Sequence, residues 1–279
     1  MPRFEHLGRS IAYDVHGEGD RVLVLIHGLL MNRHMYDRLA PEMAARGNRV
    51  VAVDLLGHGE SDRPAEMVNY GINFFAQQVI ALLDHLGAEQ AVIGGTSLGA
   101  NTTLTIARAE PERVRGMMLE MPVLDNALLG VSVIFTPILL GLRFGAPLWR
   151  RTAALTRRIP RSAYILDLWL DLARQDPEPS AAVLEGLVLG PGAPHHDERV
   201  KIQQPALVIG HRADPLHPFS DSGMLAEELP NARLIEAKSI LEWRIAPERL
   251  DDELGRFLDE AWAEAAVPAP AEARLSRLR

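Results

Sequence analysis

The chain of 279 residues contains no cysteine. This absence excludes a disulfide scaffold, a thiolate zinc site, an iron–sulfur cluster and a cysteine nucleophile. Aromatic residues make up only 5% of the chain, which argues against a site that stacks sugars or bases. Basic residues are also in the minority, because 29 Lys and Arg face 37 Asp and Glu for a net charge of −8. An acidic chain repels phosphate backbones, so we expect no nucleic-acid partner.

Long apolar segments are missing as well. The longest uncharged apolar stretch, 127–142, has 16 residues with Pro137 inside it, fewer than the roughly 20 that cross a bilayer. Residues 1–8 carry charged side chains and no apolar segment of the secretory type. We therefore expect no transmembrane segment and a cytoplasmic location.

What is present is an alternation of strand and helix patterns. Short aliphatic runs bounded by turn signals are typical of strands buried on both faces of a parallel sheet. These runs are 22–26, 49–53, 91–94, 114–119, 206–209 and 232–235. The run 10–15 precedes them and is predicted to be an antiparallel hairpin partner, turned by Gly17 and Gly19.

Helical patterns separate most of these runs, at 35–46, 73–86, 98–108, 221–228 and 247–264. The last pattern has Pro247 at its first position, where a missing N–H costs nothing. The alternation predicts an α/β fold with a doubly wound, mostly parallel eight-stranded sheet flanked by helices.

One stretch of some 80 residues breaks this alternation. From 122 to 201 there is no strand pattern, and apolar helical patterns cover 128–144, 148–157 and 163–174. The stretch is more apolar than a solvated helix tolerates, so part of it is expected to face the sheet. The remainder is expected to line a lipophilic pocket or to touch a membrane surface.

The domain division follows from these patterns. We predict an α/β core formed by 1–121 and 202–263, a helical cap inserted after the sixth strand at 122–201, and a disordered Ala/Pro-rich tail at 264–279. A pocket beneath such a cap favours a hydrophobic small-molecule substrate, such as an aliphatic acyl compound or a small ester. The sequence leaves a homodimer open.

The motif that carries chemistry is G-x-S-x-G, formed by residues 95–99 with Ser97 at its centre. It follows a predicted strand and precedes a helical run, which is the context of a nucleophile elbow. A serine at such a turn has a strained backbone, and Gly95 and Gly99 remove bulk around it. The helix N-terminus favours the negative charge that develops when the hydroxyl attacks. A plain glycine-rich turn with a capping serine is the alternative interpretation.

Two backbone amides are candidates for an oxyanion hole. Gly28 permits a turn after the strand 22–26, so that the amide of Leu29 can point toward the same place as the amide of Leu98. We interpret His27 as a residue that braces this turn rather than as a base. The segment 54–61, which reads DLLGHGES, is interpreted as a structural loop.

Together, HG after one strand, D-x-x-G-H-G-x-S after the next and G-x-S-x-G after a third resemble the α/β-hydrolase fold superfamily. The resemblance implies a Ser–acid–His triad in that chain order, backbone amides as the oxyanion hole, no cofactor and a variable cap. Ser97 matches the nucleophile. Asp214, after the seventh strand, matches the acid, and Glu120 at the end of the sixth strand is the reserve candidate.

The sequence departs from the family pattern at the histidine. The resemblance places it near Ile240, in the loop before the last helix, but no histidine follows His217. Three explanations stay open, because a serine hydroxyl needs a positioned base. His217, three residues after Asp214, is the base or only a structural turn residue; Glu242 acts as a poorer base; or the triad is dead.

Two hypotheses result. The first is a cofactor-independent serine hydrolase for esters or related carbonyl compounds with apolar groups, using Ser97, Asp214 and His217. The second is a catalytically silent protein on the same scaffold that binds a hydrophobic small molecule. We predict no metal site at 195–197, because adjacent histidines in an extended loop point apart.

Overall fold

A computed structural model describes residues 1–161, 163–214 and 216–263. Eight strands form one sheet in the order β1-β2-β4-β3-β5-β6-β7-β8. They are β1 (Arg3–His6), β2 (Arg9–His16), β3 (Val22–Ile26), β4 (Arg49–Val53), β5 (Ala91–Thr96), β6 (Val114–Glu120), β7 (Ala206–Gly210) and β8 (Ala232–Glu236). The predicted tail, 264–279, lies outside the described residues.

The described residues also form eleven α-helices. They are α1 (Leu39–Ala45), α2 (Ile72–His85), α3 (Leu98–Ala109), α4 (Leu128–Phe144), α5 (Ala146–Thr156), α6 (Tyr164–Ala173), α7 (Pro177–Val188), α8 (His196–Arg199), α9 (Phe219–Glu228), α10 (Glu242–Ile245) and α11 (Glu248–Ala263). Short 3-10 helices lie at Arg33–Tyr36, Met67–Asn69 and Pro111–Arg113.

The sheet separates two hydrophobic layers, as the predicted doubly wound fold requires. Alternate residues of β3 point to opposite faces, so that Val24 and Ile26 belong to one layer and Leu23 and Leu25 to the other. The first layer includes residues of α2, α3 and α9, and the second includes residues of α1 and α11. All five β3 side chains are buried, which explains its continuous aliphatic sequence. The predicted fold class is confirmed.

Two local predictions near the N-terminus are wrong. The run 10–15 does form β2, but β2 pairs with β1 and with β4, both antiparallel, and not with the strand that follows it. Gly17 still makes the turn, at φ +74°, and a Cβ there would lie 2.5 Å from the backbone oxygen of Asn48. The helix predicted at 35–46 is split, because the Asn32 side chain accepts a hydrogen bond from the His34 amide and caps a 3-10 turn before α1 begins.

Five helices, α4 to α8, lie between β6 and β7, where the sequence predicts a helical insertion. Three of them match predicted patterns. Helix α7 was not predicted, although Asp176 followed by Pro177 is a helix-start signal. No single helix among the described residues is long and apolar enough to cross a membrane; only the pair α4 and α5, which is bent by 96°, meets that requirement when taken together.

Candidate active site

Ser97 lies on a sharp turn between β5 and α3. Its φ of 56° and ψ of −107° fall in a region that non-glycine residues rarely adopt. The flanking glycines permit a close approach to β3: a Cβ at Gly95 would lie 2.3 Å, and one at Gly99 2.0 Å, from the backbone oxygen of Ile26. The Ser97 amide donates to the backbone oxygen of Glu120 at 2.8 Å. This tight packing holds the strained turn in place.

The Ser97 hydroxyl contacts a histidine from a different part of the chain. His217 Nε2 lies 3.0 Å from Ser97 Oγ, and His217 Nδ1 lies 2.9 Å from Asp214 Oδ2. The side chains of His217 and Asp214 are 11% and 4% exposed. The three sequence-predicted side chains therefore form one continuous chain of hydrogen-bonding groups.

The loop after β7 holds Asp214 in a fixed orientation. Its Oδ1 accepts hydrogen bonds from the amides of Leu216 at 2.8 Å and His217 at 2.9 Å. Burial raises the pKa of Asp214, but the hydrogen bonds from the His217 ring and from these amides outweigh it, so its pKa lies below the ordinary value. Asp214 is therefore an ionised acceptor for the imidazole at neutral pH.

The loop after β8 contains the position where the resemblance implies a histidine, and its polar groups are used for structure. The Arg244 guanidinium is buried and donates to Glu120 Oε2 at 2.8 Å, while Thr96 also bonds to this carboxylate. Burial lowers the pKa of Arg244, but the charge of Glu120 outweighs this and the pKa lies above the ordinary value. Glu120, the reserve acid, thus contacts Arg244 and not His217 among the described residues.

Glu242, the alternative base, is also engaged elsewhere. Its carboxylate accepts from Arg249 Nε at 2.8 Å and from the Lys238 amide. Burial raises the pKa of Glu242, but the hydrogen bonds from Arg249 and the Lys238 amide outweigh burial, so its pKa lies below the ordinary value. Among the described residues, Glu242 makes no contact with Ser97.

His27 braces the turn after β3, as its position predicts. Its Nε2 accepts a hydrogen bond from the Leu55 amide at 3.1 Å, and its Nδ1 lies 2.8 Å from the Gly28 oxygen. Burial lowers the pKa of His27, which favours the neutral ring that this pattern requires. In the described part of the chain, the amides of Leu29 and Leu98 have no protein acceptor. Both residues border the same cavity as Ser97.

The segment 54–61 is structural. Asp54 accepts hydrogen bonds from the Arg33 amide at 2.7 Å and from the Glu60 amide at 2.8 Å, and it forms a buried ion pair with the Arg33 guanidinium. The Ser61 hydroxyl donates to the Asp54 oxygen at 2.6 Å. Gly59 has a φ of +50° and lies so close to Asp54 that a Cβ would overlap its carboxylate.

A cavity of about 230 Å³ lies above Ser97. Its walls come from the start of α3, from α4, from α7 and the segment after it, and from the loops after β3, β6 and β7. The lining residues are Leu29, Leu98, Val123, Leu128, Val131, Phe135, Leu184, Leu187, Val188 and Leu216, with Ser97, Asn101, Ser132, Gly190 and Gly192. The contribution of α7 was missed at the sequence level together with the helix itself. Its apolar residues at 183, 184, 187 and 188 have helical spacing and could have indicated it.

Most of the polar side chains that border the cavity are already satisfied by the protein. Asn101 donates to the backbone oxygens of Val123 at 2.7 Å and Gly192 at 2.8 Å, and Ser132 donates to the Leu128 oxygen at 2.8 Å. Apart from the Ser97 hydroxyl and the two amides beside it, the cavity therefore offers a ligand chiefly apolar contacts.

The residues at 195–197 do not converge on a metal position. They lie at the start of α8 and not in the predicted extended loop, and His196 Nδ1 contacts Glu228 Oε1 at 2.8 Å. Within 1–161, 163–214 and 216–263, no group of three or more His, Asp or Glu side chains is arranged to hold a metal ion.

The fold and the site define a class: doubly wound α/β proteins with a serine on a strand-to-helix elbow at the carboxyl edge of the sheet. The chain belongs to the α/β hydrolase fold family, whose model matches residues 21–239.

Relatives with known names match mainly parts of the chain. A 2-hydroxymuconate semialdehyde hydrolase of Pseudomonas putida is 29% identical over 202 residues, which cover 68% of this chain and 69% of that protein. Epoxide hydrolase B of Mycobacterium tuberculosis is 32% identical over 111 residues, 39% of this chain and 31% of that protein. An acetyltransferase component of the acetoin cleaving system of Pseudomonas putida matches over 28% of its length. The chain thus spans about a third of the length of the last two proteins.

Solved structures match over nearly the whole chain. An N-acyl homoserine lactone degrading enzyme is 25% identical, with a TM-score of 0.70 over 92% of this chain and 100% of that one. An enol-lactonase from Burkholderia xenovorans is 22% identical, with a TM-score of 0.72 over 94% of this chain and 100% of that one. The second likeness establishes the fold alone.

Proposed function

We propose that the chain is a serine hydrolase that cleaves esters or related carbonyl compounds with apolar groups through an acyl-enzyme on Ser97. The observation that carries the proposal is the unbroken contact from Ser97 through His217 to Asp214, beside an apolar cavity. A hydroxyl, an imidazole and an ionised carboxylate in this order are the groups that nucleophilic acyl transfer needs.

In the acylation step, Ser97 Oγ attacks the carbonyl carbon while His217 Nε2 takes the hydroxyl proton. The tetrahedral oxyanion accepts hydrogen bonds from the amides of Leu29 and Leu98. One such donor lowers the barrier by about 3 kcal/mol in known enzymes. Asp214 holds the imidazole by its Nδ1–H and stabilises the imidazolium. Collapse of the intermediate breaks the bond between the carbonyl carbon and the alkoxy oxygen, and the alcohol leaves with the proton from His217 Nε2.

In the deacylation step, His217 takes a proton from water, and the hydroxide adds to the acyl carbon. The second oxyanion accepts hydrogen bonds from the same two amides. Its collapse breaks the bond to Ser97 Oγ, which regains the proton from His217 as the carboxylic acid leaves. The net reaction converts an ester and water into a carboxylic acid and an alcohol, and it uses no cofactor.

The cavity supports a small substrate with an apolar acyl group. Its volume of about 230 Å³ is below the roughly 300–1,000 Å³ of pockets that hold drug-sized ligands. The satisfied polar groups at Asn101 and Ser132 favour hydrocarbon over hydroxylated groups. A similar solved structure is that of an enzyme that degrades N-acyl homoserine lactones, and a lactone is a cyclic ester, which supports an ester-type substrate.

Labelling with a fluorophosphonate tests the proposal. We expect one adduct per chain by intact mass, located at Ser97 by peptide mapping and absent from Ser97→Ala. The absence of an adduct in the folded chain between pH 6 and 9 contradicts the proposal. That result would favour the second hypothesis, a silent protein that binds a hydrophobic small molecule.

A further inference from the structure

Helix α4 is apolar on both of its faces. Its inner face lines the cavity with Val131 and Phe135 and buries Leu142 against α7. Its outer face carries Leu129, Val133, Leu140 and Phe144, all of them exposed. These four lie at intervals of four, seven and four residues and so form one stripe along the helix.

Helix α5, which follows α4 directly in the chain, also exposes apolar side chains. Leu148 and Leu155, two turns apart on that helix, are both more than half exposed. We call the four outer residues of α4 with Leu148 and Leu155 the cap face. A helix that is apolar all round is normally covered by protein or by lipid, and no other part of the described chain covers this one.

The charge of the segment points to the kind of surface that covers it. Residues 126–166 contain six arginines and no Asp or Glu, although the whole chain has a net charge of −8. Four of these arginines pair with acids that lie later in the chain, as Arg143 does with Glu185. Arg151 and Arg158 are exposed and have no acidic partner within the described ranges.

The cavity opens beside the cap face. Leu128 and Val188 border the cavity and are also more than half exposed, so they form part of its rim. Leu128 is next to Leu129, the first residue of the cap face. An apolar molecule held at this surface is therefore close to the entrance of the cavity.

We propose that the cap face docks on an anionic phospholipid bilayer, with its apolar side chains in the headgroup boundary and Arg151 and Arg158 near lipid phosphates. Exposed apolar helices with basic residues bind such interfaces through both contributions. A second copy fits less well. In a two-fold dimer the cap face of one chain packs against the cap face of the other, which brings arginines of both chains close together. The proposal does not depend on the chemistry of Ser97.

Vesicle flotation with the full chain tests this proposal. We expect the chain to float with vesicles of equal parts phosphatidylcholine and phosphatidylglycerol in 50 mM salt, and to bind pure phosphatidylcholine at least tenfold more weakly. The double variant Leu129→Glu/Phe144→Glu is expected to reduce binding at least tenfold. Leu7→Glu is the matched control, because Leu7 is as exposed as Leu129, at 77%, but lies in the β1–β2 turn.

The double variant Arg151→Glu/Arg158→Glu tests the electrostatic part. We expect binding to fall more than tenfold, since each basic residue near an anionic surface contributes about fivefold. Turnover of a soluble short-chain ester is expected to stay within twofold of the native chain for all variants, which separates this proposal from the one on Ser97. Failure to float with anionic vesicles overturns it. A stable dimer by light scattering that Leu129→Glu/Phe144→Glu dissociates also overturns it.

Discussion

Two neighbouring loops at the carboxyl edge of the sheet differ in what their polar side chains contact. The loop after β7 carries Asp214 and His217, three residues apart, and turns both toward Ser97. The loop after β8, 237–247, carries Arg244 beneath the elbow in a buried ion pair with Glu120. In the chain order that the family resemblance implies, acid and base would be divided between these loops.

The imidazole that contacts Ser97 thus comes from the loop after β7 and not from the loop in which the resemblance implies it. Asp214 Oδ1 accepts hydrogen bonds from the amides of Leu216 and His217, and these bonds fix a compact turn. An imidazole and the carboxylate that orients it can therefore come from one loop. The neighbouring loop is then free to act as structural support. We therefore expect substitution of His217 to change mainly the rate of hydrolysis, and loss of the Arg244–Glu120 ion pair to change mainly the free energy of unfolding.

The largest effect is expected from the loop after β7. His217 is the base in the proposed function, so His217→Ala is expected to lower kcat for a short-chain nitrophenyl ester about 10⁴-fold. His211→Ala is the matched control, because His211 is in the same loop but contacts the Lys238 oxygen at 3.2 Å. Steady-state hydrolysis by the two variants measures the difference. Equal rates in both variants would contradict the assignment of the base to His217.

A smaller loss of rate is expected for Asp214→Asn. The amide cannot stabilise the imidazolium, and its NH₂ group disfavours the correct tautomer, so kcat is expected to fall about 10³- to 10⁴-fold. The free energy of unfolding is monitored in parallel, because Asp214 also accepts two backbone amides. If Asp214→Asn keeps its activity while Glu120→Gln loses it, the acid has been assigned to the wrong strand.

For the loop after β8, the main effect is expected on stability. Glu120→Gln leaves the buried Arg244 charge without its partner and is expected to lower the free energy of unfolding by about 3 kcal/mol. Urea unfolding of the single variant and of Glu120→Gln/Arg244→Met measures this. Recovery of most of the loss in the double variant is the expected coupling; purely additive losses would show that the pair does not act as a unit.

The smallest effect concerns the anchor of the same loop. The Trp243 indole donates to Asp251 Oδ1 at 2.7 Å, and burial raises the pKa of Asp251 to about 6. The unfolded chain loses this proton near pH 4, before the folded chain does, so stability decreases as the pH rises from about 4 to about 6. Asp251→Asn is expected to stabilise the chain by about 1–2 kcal/mol at pH 7.5 and by much less at pH 4.

Urea unfolding at both pH values tests this expectation. Asp252→Asn is the control, because Asp252 is on the same helix but exposed in a surface pair with Arg46. An equal gain from both variants at pH 7.5 would attribute the effect to net charge instead of to the buried group.

Much of this organisation could be predicted from the sequence. The five-residue elbow, with glycine at its first and last positions, and the aliphatic strand before it depend on local sterics, which can be read from the sequence. The contact between Ser97 and His217 spans 120 residues. Its existence depends on how the turn at Asp214 aims the imidazole, which is a tertiary property.

The features that the sequence did not predict also depend on tertiary structure. Arg244 is an ordinary charged residue in the sequence, and only packing beneath the elbow shows that it is the partner of Glu120. The pairing of β2 with β4 depends on the order of strands in the sheet and not on the turn that follows β2. The wall of the cavity formed by α7 required the recognition of a helix that begins with two prolines in three residues.

The most direct test of the central claim is the rate at which a fluorophosphonate modifies Ser97 at pH 7.5. If His217 is the base, His217→Ala is expected to slow this reaction at least about 10³-fold, while His211→Ala leaves it within a factor of two. Modification of Ser97 at the native rate in His217→Ala would contradict the assignment of the base to the loop after β7.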